Sequence, residues 1–531
     1  MRYRDNGPGR ERQWTGPRAV MDNGQWTMDN GQWTMDNGQW TMDNESKEIE
    51  KVFAFVNKNI KYLMENLNRR DFVKYSGMAG AMSVAGASSL QAGEVNISSV
   101  KPTVSGSIKI KSVNSNFERE PLNPYRFKGS AITDSWQGIS VLESDSGIRK
   151  IGLATQGVLW SDSKVFAAHS ESAGNAIMYA MSEHALQIVK GQSFNDPVQL
   201  MEALLPEVWA YGKKITGNPD LRKTFALNAM VSVDNAAWLL YAAENKLKTF
   251  DEMILPAYRQ GLSTRHKKVA SIPAFSVGTP AEKIKQAADE GYFIMKIKTG
   301  APGTQQEMIE KDMAFLTSVH KAIGHYETPY TLNGKIPYYF DANGRYEKKE
   351  TLLRFLDHAK KIGAFEQLAV IEEPFDESNE DYVGDMGVRV AADESAHTVE
   401  DAAKRIEMGY TAIAVKAIAK TLSMTMKITQ LAYEKKIPCF CADLTVNPVL
   451  VEWNKNIAAR LPAFPGMTVG LQEANGHQYY KNWDRLASYH PYADASWVKA
   501  RKGVFELNED YYQKSGGILE PVKHYEDLFN A

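Results

Sequence analysis

Between residues 269 and 476 the chain alternates short apolar or β-branched runs with stretches long enough for one helix and its turns. Six of these runs end on a charged residue. MKIKTG, YFDANG, VIEEPF, AADES, AVKAIAK and CFCADL carry Lys298, Asp341, Glu372, Asp393, Lys416 and Asp443. The gaps between these residues are 43, 31, 21, 23 and 27, which is the period of repeated βα units. VASIPAFSVG (269–278) ahead of them and MTVGLQEANG (467–476) behind them bring the strands to eight. Eight parallel strands close a barrel whose functional groups sit at the carboxyl ends of its strands. Further upstream, SIKIKSV, AITDSWQGISVLES and IRKIGLATQG alternate like an antiparallel sheet, and helical patterns follow from about 171 to 248. The predicted fold class is α/β, a barrel preceded by an α+β domain.

Numbering the strands turns this order into geometry. Asp341, Glu372 and Asp393 end strands three, four and five, which are neighbours, so three carboxylates can converge on one hard cation. Such an oxygen ligand set suits Mg²⁺. Strands two and six lie opposite one another in a ring of eight, which sets Lys298 and Lys416 across the mouth from each other. Lys296 shares the strand face of Lys298, and Asn343 that of Asp341, which makes Asn343 a candidate substrate contact. Removing a proton from a carbon next to a carboxylate creates an ene-diolate, whose added negative charge needs preorganised positive charge. Mg²⁺ and Lys296 supply it in this arrangement. A lysine base must be partly neutral near pH 7, and burial beside other cations lowers its pKa. With one lysine on each face of the α-carbon, the proton leaves on one side and returns on the other. Racemisation or epimerisation is the expected outcome.

With these motifs in this order, most of residues 120–480 resembles the enolase superfamily. Within it the chain is similar to the muconate lactonizing enzyme and dipeptide epimerase subgroup of the mandelate racemase/muconate lactonizing enzyme family, which has K-x-K on its second barrel strand and a lone lysine on its sixth. The resemblance implies a modified TIM barrel, (β/α)7β, under an α+β N-terminal capping domain whose loops choose the substrate. It also implies that Glu372 rather than Glu373 is the ligand of the E-[EQ]-P turn, that Asp393 is the ligand of the D-E-S turn, and that Lys298 is the usual base with Lys416 as its partner. NAMVSVDNAAWLL (228–240) is similar to the helix leading into the family's barrel, with Asp234 and Trp238 in matching places. Loops at 119–129 and 159–170 are the candidates for covering the mouth, with Arg119, Arg126 and Lys128 as candidate contacts for an anionic substrate group.

The chain also departs from the family. Its seventh strand carries no histidine, which disfavours the His/Asp base pair of the mandelate racemase subgroup. The Asp-x-Asp that dipeptide epimerases place on strand eight for the substrate's ammonium group is replaced by GLQEANGH, where Glu473 is the candidate substitute and His477 lies nearby. Two readings of Asp443 stay open, a substrate or supporting group and a helix cap ahead of residues 445–460. Glu394 is open between orienting a catalytic lysine and forming a plain salt bridge.

The N-terminal part is of another kind. MDNGQWT occurs three times without change between residues 21 and 41, and a fourth copy begins with MDN. Asn-Gly and Asp in every unit favour turns over helix, and no a/d apolar seam is present. Residues 1–63 are therefore expected to be translated upstream sequence or a recent duplication without a packed structure. From Met64 the chain reads MENLNRRDFVKYSGMAGAMSVAGASSLQAG, in which Arg69 and Arg70 precede an Ala/Gly-rich stretch and a small-residue site near Ala92. Residues 64–92 resemble a twin-arginine signal peptide. This implies the twin-arginine export machinery as a partner and a periplasmic or otherwise exported location. The stretch is too short and too rich in Gly and Ser for a membrane anchor, so no stable membrane insertion is expected after processing. A linker at 93–104, the capping domain at 105–265, the barrel at 266–480 and a segment at 481–531 that packs on the cap complete the expected organisation.

Composition narrows the partners. With 24% charged residues and a net charge of −2, the chain has no basic bias that would serve nucleic acid. Its two cysteines, Cys439 and Cys441, lie two apart on one strand, a poor geometry for a mutual disulfide, and are expected as buried packing. Homo-oligomerisation stays open. The expected activity is a Mg²⁺-dependent 1,1-proton transfer on a small carboxylate, with epimerisation of a dipeptide (L-Ala-D/L-Glu type) or an N-substituted amino acid leading. A muconate-type cycloisomerase and an o-succinylbenzoate synthase-type syn-elimination share the ene-diolate and need one base. An exported binding protein on a catalytically retired barrel is the alternative of another class.

Overall fold

The computed structural model describes residues 106–530 and four short strands between residues 19 and 41. Those four, Ala19–Asp22, Gln25–Met28, Thr34–Asp36 and Gln39–Thr41, pair as an antiparallel sheet. Their registers include Asp22↔Gln25 and Asp36↔Gln39. The signal-peptide reading of 64–92 and the linker reading of 93–104 lie outside the described residues, as does most of 1–63.

From residue 108 the alternation of buried and exposed positions builds an antiparallel meander of Ile108–Phe127, Ser130–Ser144 and Arg149–Thr155, with Ser193–Phe194 added at one edge. The 119–129 stretch is therefore not a loop. It is the end of a 20-residue strand and its turn, because a register shift between Pro121 and Tyr125 lets the prolines pass without breaking the pairing. The 159–170 stretch holds parts of two short helices, Val158–Ser161 and Ser163–Ala168. Helices Glu171–Val189, Pro197–Thr216 and Lys223–Glu244 follow. The last is buried continuously from Thr224 to Ala242, as expected of a helix apolar all round. Strand Arg149–Thr155 packs on it so closely that a Cβ at Gly152 would collide with the Ser232 carbonyl oxygen and the Ala236 nitrogen.

The barrel strands run parallel in chain order: Met295–Lys298, Tyr338–Asp341, Leu368–Glu372, Val390–Ala392, Ala412–Val415, Cys439–Cys441 and Gly470–Glu473 are strands two to eight. Strand one is broken at Pro273. Its first half, Lys268–Ile272, pairs with strand eight, and its second half, Ala274–Phe275, pairs with strand two, so the ring closes. The Pro273 carbonyl accepts the Lys296 N–H at 2.9 Å. Val504–Glu506, from the C-terminal segment, pairs antiparallel with Lys268–Ala270 and joins the barrel sheet. The same segment reaches the cap, where Arg485 pairs with Glu120 at 2.6 Å and His524 stands 2.9 Å from Glu118. Cys439 and Cys441 are free and buried on strand seven, and burial pushes the Cys439 thiol up to about 12. Among the described residues no helix is long and apolar enough to cross a membrane.

Cap helix and barrel are pinned at one point. Asp234 Oδ2 accepts the N–H groups of Leu422 and Ser423 at 2.7 and 3.1 Å, and its Oδ1 accepts the Ser423 hydroxyl at 2.5 Å. Trp238 Nε1 donates to the same hydroxyl at 3.0 Å. These are donors at the first turn of helix Leu422–Glu434, which need an acceptor when buried. Asp234→Ala leaves them without one, and we expect a loss of roughly 2–4 kcal/mol. Asp234→Asn, which keeps an acceptor oxygen, should lose less. Thermal unfolding of the two variants checks this, and an unchanged midpoint for Asp234→Ala would remove the assigned role.

Candidate active site

The strand ends stand side by side because the registers Lys298↔Asp341, Asp341↔Glu372 and Glu372↔Ala391 put them at one level of the barrel. Asp393 and Lys416 each follow the last residue of their strand, and Asp443 comes two residues after its own. Beneath them inside the barrel, Tyr339 and Phe440 are buried with ring centroids 5.3 Å apart, whereas Ile297, Phe340 and Ile371 alternate outward, and Phe340 packs on Phe355 of the surrounding helix Lys349–Lys361. The turns that leave the strands are bent. Asn343, Glu373, Thr421 and Thr445 all have positive φ, a strained state for side chains other than glycine that clusters at functional sites.

Lysines and carboxylates interleave across this mouth. Lys296 Nζ lies 2.9 Å from both Asp341 Oδ2 and Glu372 Oε1, and 3.2 Å from Glu473 Oε2. Lys298 Nζ donates to Asp341 Oδ2 at 2.5 Å and to Asn343 Oδ1 at 2.7 Å. Lys416 Nζ is 2.6 Å from Asp393 Oδ2 and sits 4.4 Å above the Trp160 ring. Lys420 donates to the Asp393 carbonyl at 2.5 Å, with its Nζ 3.3 Å from Asp393 Oδ1. From the cap, Lys128 pairs with Glu394 at 2.9 Å, and Trp160 Nε1 donates to Asp393 Oδ2 at 3.2 Å. Tyr339 donates its hydroxyl proton to Glu372.

Titration follows from this lattice. Burial opposes ionisation of Asp341, but the Lys296 and Lys298 ammonium groups overcome it and hold the carboxyl down to about 2. Burial likewise opposes ionisation of Asp393, and Lys416 and Lys420 bring it well below the usual range. Glu372 goes the other way, raised by burial and then by Asp341 beside it. For Lys296, the attraction of Asp341, Glu372 and Glu473 exceeds the burial penalty and raises its pKa. Lys416 is raised by Asp393 against the same penalty. Burial, and then Glu473 alongside, pushes Asp443 up to about 7.

The carboxylates have the chemistry of a divalent cation site. Oxygen atoms of Glu372, Asp393 and Glu394, all buried, lie within 4.8 Å of one another. Asp393 Oδ1 and Glu394 Oε2 accept no hydrogen bond. Buried hard oxygen donors with free lone pairs are what Mg²⁺ or Ca²⁺ takes. This set differs from the one read from strand order. Glu372 and Asp393 come together, Glu394 joins them, and Asp341 stands with Lys296 and Lys298.

All nine residues singled out from the sequence surround one mouth. Lys296, Lys298, Lys416, Asp443 and Glu473 line one cleft together with cap residues. Asn343 bridges Lys298 and Glu394, donating to the latter at 3.0 Å. Asp443 is not the helix cap, since Asn447 caps helix Pro448–Ala458 by accepting from Val449 and Leu450. Asp443 instead accepts from Asn475 N at 3.0 Å while its own N–H donates to Glu473 at 2.9 Å. Arg119 pairs with Asp134 at 2.6 Å, and neither it nor Arg126 lines the cleft. Three participants escape the strand pattern: Lys420, Trp160 and Asn475. Lys420 follows Lys416 by one helical turn, a spacing open to inspection, whereas Trp160 arrives from the other domain.

Residues 280–491 match the family described as Enolase C-terminal domain-like. No match was found among curated protein sequences. Among solved structures, the fold is similar to that of a dipeptide epimerase from Enterococcus faecalis complexed with Mg and the dipeptide L-Leu-L-Tyr, at 17% identity over 75% of this chain and 97% of that one, with a TM-score of 0.54. The L-Ala-D/L-Glu epimerase from Bacillus subtilis is similar at 17% identity over 71% and 92% of the two chains, with a TM-score of 0.51. An N-succinyl Arg/Lys racemase from Bacillus cereus is similar at 16% identity over 76% and 97%, with a TM-score of 0.52. At these identities the likeness concerns the fold.

A cation bound only by the folded state stabilises it by about 2.7 kcal/mol at a hundred times its dissociation constant. Adding MgCl₂ should therefore raise the melting temperature, and Glu372→Gln and Asp393→Asn should each abolish the increment. An increment that persists in both variants would place the cation elsewhere.

Proposed function

The chain belongs to the enolase superfamily, and from that premise we propose that it is a Mg²⁺-dependent racemase or epimerase acting at the α-carbon of a carboxylate, with a dipeptide or N-substituted amino acid as substrate. The observation that carries this reading is the placement of Lys298 and Lys416, from opposite strands two and six, in the walls of one cleft beside the carboxylate cluster. Glu372, Asp393 and Glu394, with Asp341 adjoining, would hold the cation. When bound, it supplies fixed positive charge for the substrate's carboxylate oxygens.

The chain's own groups divide the remaining work. One of Lys298 and Lys416 takes the α-proton and the other returns one to the opposite face, so the same pair serves both directions. Lys296 stays charged, held between Asp341, Glu372 and Glu473, and meets the negative charge that develops on the ene-diolate. The Trp160 ring covers Lys416 and limits water at that base. Asp443 and Glu473, at the side of the cleft formed by strands seven and eight, suit the ammonium group of a dipeptide. Export by the twin-arginine route would place such an enzyme among peptide fragments of the cell wall, which supports the dipeptide choice.

Two experiments test this reading. Incubated in D₂O with Mg²⁺ and a dipeptide library, the protein should put deuterium on an α-carbon, and Lys298→Ala and Lys416→Ala should each lower epimerisation by at least about a hundredfold. Full epimerisation of both stereoisomers by either variant would refute the two-base assignment. The second experiment uses pH. Asp443 is protonated below about 7 and then offers the ammonium no charge. KM for a dipeptide should rise as pH falls through 7 while kcat changes less, and Asp443→Asn should flatten the KM profile. A wild-type KM independent of pH between 6 and 8 would count against the ammonium site.

A further inference from the structure

The cleft wall contributed by the cap is apolar. Leu122, Tyr125, Phe127, Ile132 and Phe166 line it, and the strand pattern explains why. In the strand Ile108–Phe127, Leu122, Tyr125 and Phe127 are buried while Arg126, between the last two, is exposed and points to the opposite face. The remaining candidate cations of the cap are engaged. Arg119 pairs with Asp134 at 2.6 Å and sits over Trp136, and Lys128 is buried between Glu394 and the Trp160 carbonyl, at 2.9 and 2.8 Å. Among the described residues lining the cleft, the cations are Lys296, Lys298 and Lys416, from the barrel, whereas on the cap side Asp134 is paired with Arg119 and Glu171 adds negative charge.

We infer that the substrate carries one carboxylate only, the one next to the reacting carbon, and that the side chain on that carbon is uncharged and apolar and is received by Leu122, Tyr125, Phe127, Ile132 and Phe166. This rests on the epimerase reading and narrows it. A second carboxylate, as on a glutamyl side chain, would lie against apolar groups and Glu171, with Arg119 already held by Asp134 at 2.6 Å, which costs desolvation without compensation. An apolar side chain there gains from burial.

The test compares L-Ala-L-Leu with L-Ala-L-Glu as single substrates, read both as deuterium incorporation in D₂O and as dissociation constants by calorimetry with Mg²⁺ present. The leucyl dipeptide should be favoured by at least about tenfold in both readouts. Ile132→Arg, which puts a cation into the apolar wall, should shift the ratio toward the glutamyl dipeptide by a similar factor. Equal or better binding of L-Ala-L-Glu by the unaltered protein overturns the inference, whatever the exchange result. Preferential binding of L-Ala-L-Leu without deuterium incorporation in either dipeptide leaves the inference standing and overturns the epimerase reading. An unshifted ratio in Ile132→Arg overturns the assignment of the wall.

Discussion

Ion pairing inside the barrel mouth is the constraint on which the other features depend. Five buried carboxylates, Asp341, Glu372, Asp393, Glu394 and Glu473, meet five buried ammonium groups, Lys128, Lys296, Lys298, Lys416 and Lys420, at distances of 2.5–3.3 Å. An isolated ion in such surroundings costs several kcal/mol even after relaxation, and removal of one partner from a buried pair costs about 3–5 kcal/mol. Each residue of the lattice is therefore retained by the others. Glu372, Asp393 and Glu394 would hold a divalent cation, which would supply further positive charge beside these lysines. Lys416 is raised by its contact with Asp393 against desolvation, which favours the neutral amine.

The fold carries this arrangement through register and strain. Parallel pairing sets Lys298, Asp341 and Glu372 at one level, with Tyr339 and Phe440 buried beneath them inside the barrel. Leaving the strands sharply, through Asn343 and Glu373 at positive φ, keeps the following residues from extending the strands. Glu373 then accepts the Asp393 N–H at 2.6 Å, so the turn after strand four fixes the turn after strand five. The split of strand one at Pro273 belongs to the same economy of hydrogen bonds: its carbonyl goes to Lys296 N–H, and the edge freed below is taken by Val504–Glu506.

Much of this was legible in the chain because a βα barrel writes its site at regular intervals. Each apolar run ends on the residue that reaches the mouth, so Lys298, Asp341, Glu372, Asp393, Lys416 and Asp443 could be placed from spacing alone. Spacing does not tell which carboxylates meet. Asp341 is drawn to the lysines of strand two, and Glu394, one residue beyond Asp393, turns into the cluster. Lys420 lies outside the strand pattern because it acts from a helical turn, and only its spacing of one turn after Lys416 points to it. The family resemblance makes 119–129 a loop over the mouth, whereas the strand runs on through Pro121 and Pro124, which its pairing with Ser130–Ser144 absorbs in a register shift. Contacts such as Lys128–Glu394 and Trp160–Asp393 join residues 266 and 233 positions apart and leave no local signal.

Those long-range contacts join two tasks in one stretch of chain. Phe127 belongs to the apolar wall of the cleft, and its neighbour Lys128 completes the charge lattice. Trp160 covers Lys416 and also donates to Asp393. The residues that shape the space for a substrate are thus contiguous with those that hold the carboxylates, and the backbone between them is short. A change in the cap that moves Phe127 by one position moves Lys128 with it, and Glu394 then loses its buried partner. Substrate choice at this mouth can vary only in side chains that alternate away from the lattice, such as Leu122, Ile132 and Phe166. The part of the cleft remote from the lysines is accordingly where this barrel can take up new substrates without losing the ion pairing that its chemistry requires.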